Sequence, residues 1–243
     1  MSDDKDRLFA KNRALTSGFR FDEQVVKVFP DMIARSVPGY ELVIPMIGLL
    51  ARRYAQPDSN IYDLGCSLGA ASLAMSLAVR ASGTRIIAVD NSEAMVARCK
   101  KNRVDKGGTV PIDVHLKDIL DTQIENASVV VLNFTLQFLE RDQRQSLINR
   151  ISAGMRAGGV LIISEKICFE DEREQTDQTA WHHDFKRAQG YSDLEIAQKR
   201  NALEDVLLPE TEASHFKRLQ QAGFSRYHRW FQCFSFISYI AFK

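Results

Sequence analysis

A chain of 243 residues, 45% hydrophobic and 26% charged, has the balance of a globular protein with a full core, and its length admits one large α/β domain or two small ones. A net charge of +1 supplies no global field toward nucleic acid or an acidic membrane surface, and no apolar run approaches the ~20 residues that span a bilayer. The four cysteines (Cys66, Cys99, Cys168, Cys233) are widely spaced, without a C-x-x-C pair or a histidine at ligand spacing, which excludes a disulfide framework and a zinc site. The opening Met1–Arg7 is polar and acidic, the wrong composition for a secretory signal, and a cytoplasmic protein is expected.

Residues 1–20 read as a polar tail, and 21–243 as one domain. Phe21–Phe29 reads as a short helix capped by Asp22 and stopped by Pro30, with another turn of helix over Asp31–Ser36. After the turn Val37-Pro38-Gly39, Tyr40 opens a longer apolar helix carrying Leu42, Ile44, Met46, Ile47, Leu49 and Leu50, with Pro45 interrupting its first turn. These N-terminal helices fill 21–56. Asn60–Leu64 is a strand leading into a glycine-spaced turn. A helix over about Ala70–Ala81 follows, with small residues for close packing, and then a second strand, Arg85–Asp90. Ser92 caps the amphipathic helix Glu93–Lys106, which Gly107-Gly108 breaks. Ile112–Leu116 alternates as a third strand. Ala127–Leu132 is the dense apolar run of a central parallel strand buried on both faces. A helix over Asp142–Met155 ends at Arg156-Ala157-Gly158-Gly159, and Val160–Ser164 is a fifth strand. The alternation of strand and helix predicts a doubly wound, mostly parallel α/β sheet.

Residues 169–210 exceed that alternation and read as a helical insert before the last strand pair. Its first part is polar, Ala180–Arg187 is helical, and the capping box Ser192-x-x-Glu195 starts a helix reaching about Leu208. A helix over Glu212–Ala222 and two aromatic strands, Arg226–Phe231 and Phe234–Phe242, close the chain.

The chemistry is concentrated at strand ends. In Asp63-Leu64-Gly65-Cys66-Ser67-Leu68-Gly69, glycine spacing lets backbone N–H groups approach a ligand. The loop lacks both the Lys-Ser/Thr of a P-loop and the G-x-G-x-x-G spacing of a pyrophosphate site, and Asp63 would repel phosphate while suiting an ammonium or sulfonium group. About twenty residues on, Asp90 ends the second strand, where a carboxylate accepts ribose hydroxyls. Cys66 reads as a small loop residue without a base to make it a nucleophile. Trp181, His182 and His183 are expected to pack and hydrogen-bond within the insert. Arg200 shares a predicted helix face with Ile196, Leu203 and Leu207, and an arginine within an apolar stripe must find an anion. The alternatives are a structural salt bridge, a side chain that snorkels to water, and a clamp on a ligand's carboxylate in a lid or at a subunit contact.

D-L-G-x-x-x-G followed by V-D-x-S resembles the class I S-adenosylmethionine-dependent enzymes, which implies a seven-stranded sheet of that fold. In those terms Gly65, Cys66 and Ser67 would face the cofactor's amino-acid part, Asp90 and Asn91 the ribose, Asp118 and Ile119 the adenine, and Asn133 the region of the reactive sulfur. Longer stretches narrow the resemblance: Val28–Ile33, Arg35–Tyr40, Tyr62–Ala70, Val130–Phe138, Ser164-Glu165-Lys166, His182–Arg187, Gly190-Tyr191-Ser192 and Trp230–Phe234. All are similar to the carboxy-S-adenosylmethionine synthase family, from about Phe21 to the end.

The resemblance implies that S-adenosylmethionine is a substrate and carboxy-S-adenosylmethionine the product. Prephenate would aromatise to phenylpyruvate, releasing carbon dioxide and the hydroxide that deprotonates the sulfonium methyl, so no catalytic side chain is assigned. It adds Tyr40 to the cofactor contacts and gives Arg200 the new carboxylate. It also implies a homodimer, in which Arg200 would serve either its own site or the neighbouring subunit's, and supply of the product to wobble-uridine modification of transfer RNA by a separate enzyme. His182, His183, Lys186 and Arg187 are candidate prephenate contacts. No metal, membrane or direct nucleic-acid partner is expected. An ordinary small-molecule methyltransferase and a non-catalytic S-adenosylmethionine-binding subunit are the alternative readings.

Overall fold

The computed structural model describes residues 5–8, 21–106, 108–203 and 206–243; most of the expected tail, and Gly107 of the expected helix break, lie outside them. Its centre is a sheet in the order β3-β2-β1-β4-β5-β8-β7, comprising β1 (Asn60–Leu64), β2 (Arg85–Asp90), β3 (Ile112–Leu116), β4 (Ala127–Asn133), β5 (Met155–Cys168), β7 (Arg226–Cys233) and β8 (Phe236–Phe242). A two-residue strand, β6 (Glu210–Thr211), pairs with the end of β5. The five strands β1 to β5 pair parallel, whereas β8 runs antiparallel to β5 and β7 antiparallel to β8. This is the predicted doubly wound α/β sheet.

Side-chain alternation divides the core into two layers. Ile61, Val129, Val131, Val160 and Ile162 face a layer shared with α2 (Tyr40–Tyr54), α3 (Ala70–Ala78) and α4 (Glu93–Lys106). Tyr62, Leu64, Val130, Leu132, Leu161 and Ile163 face the opposite layer, filled from α5 (Arg141–Gly154) and α8 (Glu212–Gln221). Burial of a parallel strand on both faces is what the continuous apolar runs encode.

Several element boundaries depart from expectation. Pro30 does not stop the first helix: α1 runs unbroken over Glu23–Ser36, capped by Asp22, which accepts from the Gln24 and Val25 N–H groups at 2.9 and 3.0 Å. Pro30 lies on the exposed face, while Val25, Phe29, Met32 and Arg35 carry the buried face past it. Pro45 is likewise exposed and internal to α2, whose buried side is Val43, Ile47, Gly48 and Ala51; Leu42 and Leu49 point outward. The expected turn at 156–159 belongs to β5, which starts at Met155 and bulges so that Ala127 pairs with Met155 but Val129 with Val160. Lys243 closes the bulge by exchanging hydrogen bonds with Gly158 and Gly159.

The insert is more helical than predicted. α6 spans Glu172–Ala188, capped by Asp171, which accepts from the Glu174 N–H at 2.8 Å. The predicted capping box at Ser192 does start the next helix, α7 (Asp193–Leu203), with reciprocal bonds between Ser192 and Glu195. That helix ends at Leu203, short of Leu208; residues 204–205 are outside the described set. Ahead of α1, Asp6 is 2% exposed: its carboxylate accepts the Tyr191 hydroxyl at 2.6 Å and lies 3.6 Å from the Lys199 ammonium, while its carbonyl accepts from Arg35 at 2.9 Å. The Arg35 guanidinium in turn lies 4.0 Å over the Tyr191 ring, joining α1 to the insert. Among the described residues no single helix is long and apolar enough to cross a membrane.

Candidate active site

A cavity of about 410 Å³ opens at the carboxyl ends of the parallel strands, where this fold class places its ligands. The sheet end forms its floor, and α1, the start of α2, α6 and α7 form its walls. All ten expected ligand residues line it: Tyr40, Gly65, Cys66, Ser67, Asp90, Asn91, Asp118, Ile119, Asn133 and Arg200.

At one end the cavity is acidic. The loop after β1 turns through three left-handed residues, Gly65 (φ +82°), Ser67 (φ +49°) and Gly69 (φ +83°), a conformation that only glycine adopts without strain. At Gly65 a methyl group would also collide with Thr135 at 2.4 Å. The loop is held against β2: the Gly65 and Cys66 N–H groups donate to the Val89 carbonyl at 2.8 and 2.9 Å, and the Ser67 N–H donates to Asp90 Oδ2 at 2.8 Å. The expectation that these N–H groups face a ligand is therefore corrected. They are spent inside the protein, and the loop is left with carbonyl acceptors, which suit an ammonium group.

Asp90 also accepts from the Ser92 N–H at 2.9 Å, and Asp118 caps a single 3-10 turn (Ile119–Asp121) through the Leu120 N–H at 2.8 Å. Asp63, 1% exposed beneath the loop, accepts from Ser72 Oγ at 2.5 Å; burial pushes its carboxyl up to about 6, against the pull of Ser72. Burial and the neighbouring Asp63 hold the Tyr40 phenol far above its usual range. At the end of β4, Asn133 Oδ1 is buried without a hydrogen-bond donor among the described residues. An orphaned acceptor in a cavity wall is a place for a ligand's N–H or O–H. Three carboxylates and an unsatisfied amide oxygen form a surface matched to a cationic nucleoside.

The opposite end is basic. Lys166 on β5, His182, His183 and Lys186 on α6, and Lys199 and Arg200 on α7 all line it. His182 packs edge-on against Phe236 (ring centroids 4.8 Å apart), and its Nε2 lies 2.8 Å from the Ser36 carbonyl. Burial and nearby lysines drive its imidazole down to about 3, so it is neutral and committed to structure, as expected.

Arg200 departs from its expected setting. It reaches the cavity but is exposed, and the buried stripe of α7 is Ile196, Lys199 and Ala202. The buried cation is Lys199, whose ammonium donates to Ser36 Oγ at 2.8 Å. Both residues lie within one helical turn of Ile196, so sequence spacing leaves the choice between them to tertiary partners. Sequence reasoning also missed Lys166, which follows the strand's apolar run by three residues, and the wall that α1 supplies through Phe29, Met32 and Ile33.

Comparison with known proteins places this architecture. A methyltransferase domain model matches residues 61–159, the segment that carries β1 to the bulge of β5. The human N-acetylserotonin methyltransferase, solved in complex with SAM, superposes with a TM-score of 0.61 at 19% identity, over 91% of this chain and 55% of that longer one, which establishes the fold. Sequence similarity is far higher to the carboxy-S-adenosyl-L-methionine synthases. The protein of that name from Geobacter sp. (strain M21) is 57% identical over 98% of both chains. The one from Hahella chejuensis (strain KCTC 2396) is 50% identical over the full length of both. Identity of this extent covers the insert and the basic wall as well as the nucleoside end, and the chain belongs to the carboxy-S-adenosyl-L-methionine synthase family.

Proposed function

We propose that this protein carboxylates S-adenosylmethionine, with prephenate as the source of the carboxyl group and of the base. The observation that carries the reading is the division of one cavity into an acidic end and a basic end. A sulfonium nucleoside with its ammonium group complements the first, and an organic dianion complements the second. In this reading Asp90, with Asn91 beside it, takes the ribose hydroxyls, Asp118 and Ile119 the adenine, and Asn133 Oδ1 a donor near the reacting centre. Tyr40 and the Gly65–Ser67 loop enclose the amino-acid part. When both ligands are bound, prephenate loses carbon dioxide and hydroxide as its ring aromatises. The hydroxide takes a proton from the sulfonium methyl, and that carbon takes up the carbon dioxide. The protein's part is to hold the two molecules together, keep bulk water from the released carbon dioxide, and meet the new carboxylate with Arg200.

The same reading makes the protein a cytoplasmic homodimer without a metal, whose product serves modification of transfer-RNA wobble uridine by another enzyme. The domain model at residues 61–159 favours one alternative, transfer of the intact methyl group to a small acceptor. The mass of the product separates the two. Incubation with S-adenosylmethionine and prephenate should give a nucleoside heavier by one carboxyl group, together with phenylpyruvate. S-adenosylhomocysteine and a methylated acceptor would establish the alternative, and binding without turnover would make the chain an S-adenosylmethionine-binding subunit.

A further inference from the structure

The basic end holds charges that the protein does not itself answer. Lys186 is 8% exposed, and Lys166 is half-buried at the cavity floor. Among the described residues neither ammonium has a hydrogen bond or an ion pair; the bonds these residues make are through backbone groups, the Lys166 N–H to Gln137 Oε1 and the Lys186 carbonyl from the Tyr191 N–H. Lys199 is the internal contrast, with Ser36 at 2.8 Å and Asp6 at 3.6 Å. Lys186 sits within the fields of both Lys166 and Lys199, and with burial these lower its ammonium to about 7. Burial alone lowers Lys166. Unpaired buried ammonium groups destabilise a fold unless something outside the chain supplies the anion.

The chemistry of the proposed reaction says which anion. In prephenate the bond from the ring to its carboxylate breaks, its electron pair completes the aromatic ring, and hydroxide leaves from the opposite carbon. The dianion becomes carbon dioxide, hydroxide and the monoanion phenylpyruvate. A cation paired with the departing carboxylate would hold electrons on it and oppose the cleavage. A cation paired with the side-chain carboxylate, which survives in phenylpyruvate, anchors the substrate without that cost.

We propose that Lys166 and Lys186 form the subsite for the retained 2-oxo-acid carboxylate of the carboxyl donor. The assignment rests on the reading of the cavity as a synthase site, and it leaves the ring carboxylate directed away from the lysines, toward the sulfonium methyl.

Lys186→Met, Lys166→Met and the charge-preserving Lys186→Arg test it. Each lost ammonium should raise the KM for prephenate and the inhibition constant of phenylpyruvate together, by about tenfold to a hundredfold for a charged hydrogen bond. The dissociation constant for S-adenosylmethionine should stay within about twofold of wild type, and Lys186→Arg should recover part of the loss. Because Lys186→Met removes an unpaired buried charge, the ligand-free variant should melt above wild type, which distinguishes it from a misfolded one. A raised KM with an unchanged phenylpyruvate constant would place the lysines on the departing carboxylate and overturn the assignment, as would equal losses for S-adenosylmethionine. If wild type makes no carboxylated nucleoside, the synthase reading fails by itself. Phenylpyruvate binding by calorimetry to wild type and Lys186→Met then decides the subsite alone, and equal affinities overturn it.

Discussion

The two ends of the cavity are built on opposite plans. At the acidic end charge is answered before any ligand arrives: Asp90 accepts two backbone N–H groups, Asp118 caps a turn and Asp63 holds Ser72. At the basic end Lys166 and Lys186 face the cavity without partners among the described residues. Burial raises the Asp63 and Asp90 carboxyls, so both ends cost the fold something, but the carboxylates are held by donors within the protein whereas the two ammonium groups are not. A ligand at the first finds carboxylates already oriented and an open acceptor, Asn133 Oδ1, whereas a ligand at the second supplies the missing counter-charge.

The strongest way to break this comparison is to remove a buried cation of each kind. Arg144 on α5 is 1% exposed and fully answered, by Glu210 at 2.5 Å and by the Leu139 and Leu208 carbonyls at 2.8 Å. Arg144→Met should cost about 2–6 kcal/mol, because it strands the Leu139 and Leu208 carbonyls at about 1–3 kcal/mol each while Arg218 keeps Glu210 paired at 2.8 Å, whereas Lys186→Met should raise stability. Urea unfolding of both variants measures the signs, and two losses of similar size would erase the distinction.

Ligand binding sharpens the comparison on a smaller scale. Asp90→Ala should weaken S-adenosylmethionine on the order of a hundredfold, since it removes the ribose acceptor and frees the Ser67 and Ser92 N–H groups that order the loop. Arg200→Ala should leave S-adenosylmethionine nearly unchanged but weaken the carboxylated product about tenfold. Calorimetric titration of both nucleosides against both variants gives the pattern, and equal losses for Arg200→Ala would remove it from the new carboxylate.

The gentlest effects are those of pH, and they run in opposite directions. Asp63, raised to about 6, is charged only above that value, so affinity for the cationic nucleoside should fall as pH drops through it. Lys186 at about 7 and Lys199 at about 8 lose charge as pH rises, so affinity for prephenate should fall above that range. Between about 7 and the ordinary lysine value of 10.5, the unfolded chain binds more protons at Lys186 than the folded one. Its contribution to ligand-free stability thus increases with pH there, and Lys186→Met should lack that slope. Binding of each ligand across pH 5–9 checks the first pair of trends, and melting temperatures check the third.

The acidic end was legible in the sequence because its groups are local. A strand, an acid and a glycine turn are contiguous from Asn60 to Gly69, and Asp90 follows at the next strand end. The basic end was legible only as scattered cations. Lys166, Lys186 and Lys199 come from β5, α6 and α7, and only the folded sheet and insert bring them to one wall. Arg200 and Lys199 are a single residue apart, and the contacts of Lys199 with Ser36 and Asp6 decided which was buried. Helix continuity was misread for a related reason. Pro30 and Pro45 carry a local signal that packing on the other face overrides, because the missing N–H costs little beside water. The start of α6 was readable after all, since Asp171-Glu172-Arg173-Glu174 places a capping aspartate three residues before a glutamate.

Asp6 carries a last consequence. Its one carboxylate ties Tyr191 and Lys199 of the insert to a segment ahead of α1, and its carbonyl ties Arg35. Residues 6, 35, 191 and 199 form one lock, in which loss of the Asp6 carboxylate takes the anion from Lys199 and an acceptor from the Tyr191 hydroxyl, while Arg35 keeps Asp31 at 2.6 Å. Position 6 thus acts on the cavity from outside it: what fastens Lys199 in the cavity wall is a carboxylate ahead of α1.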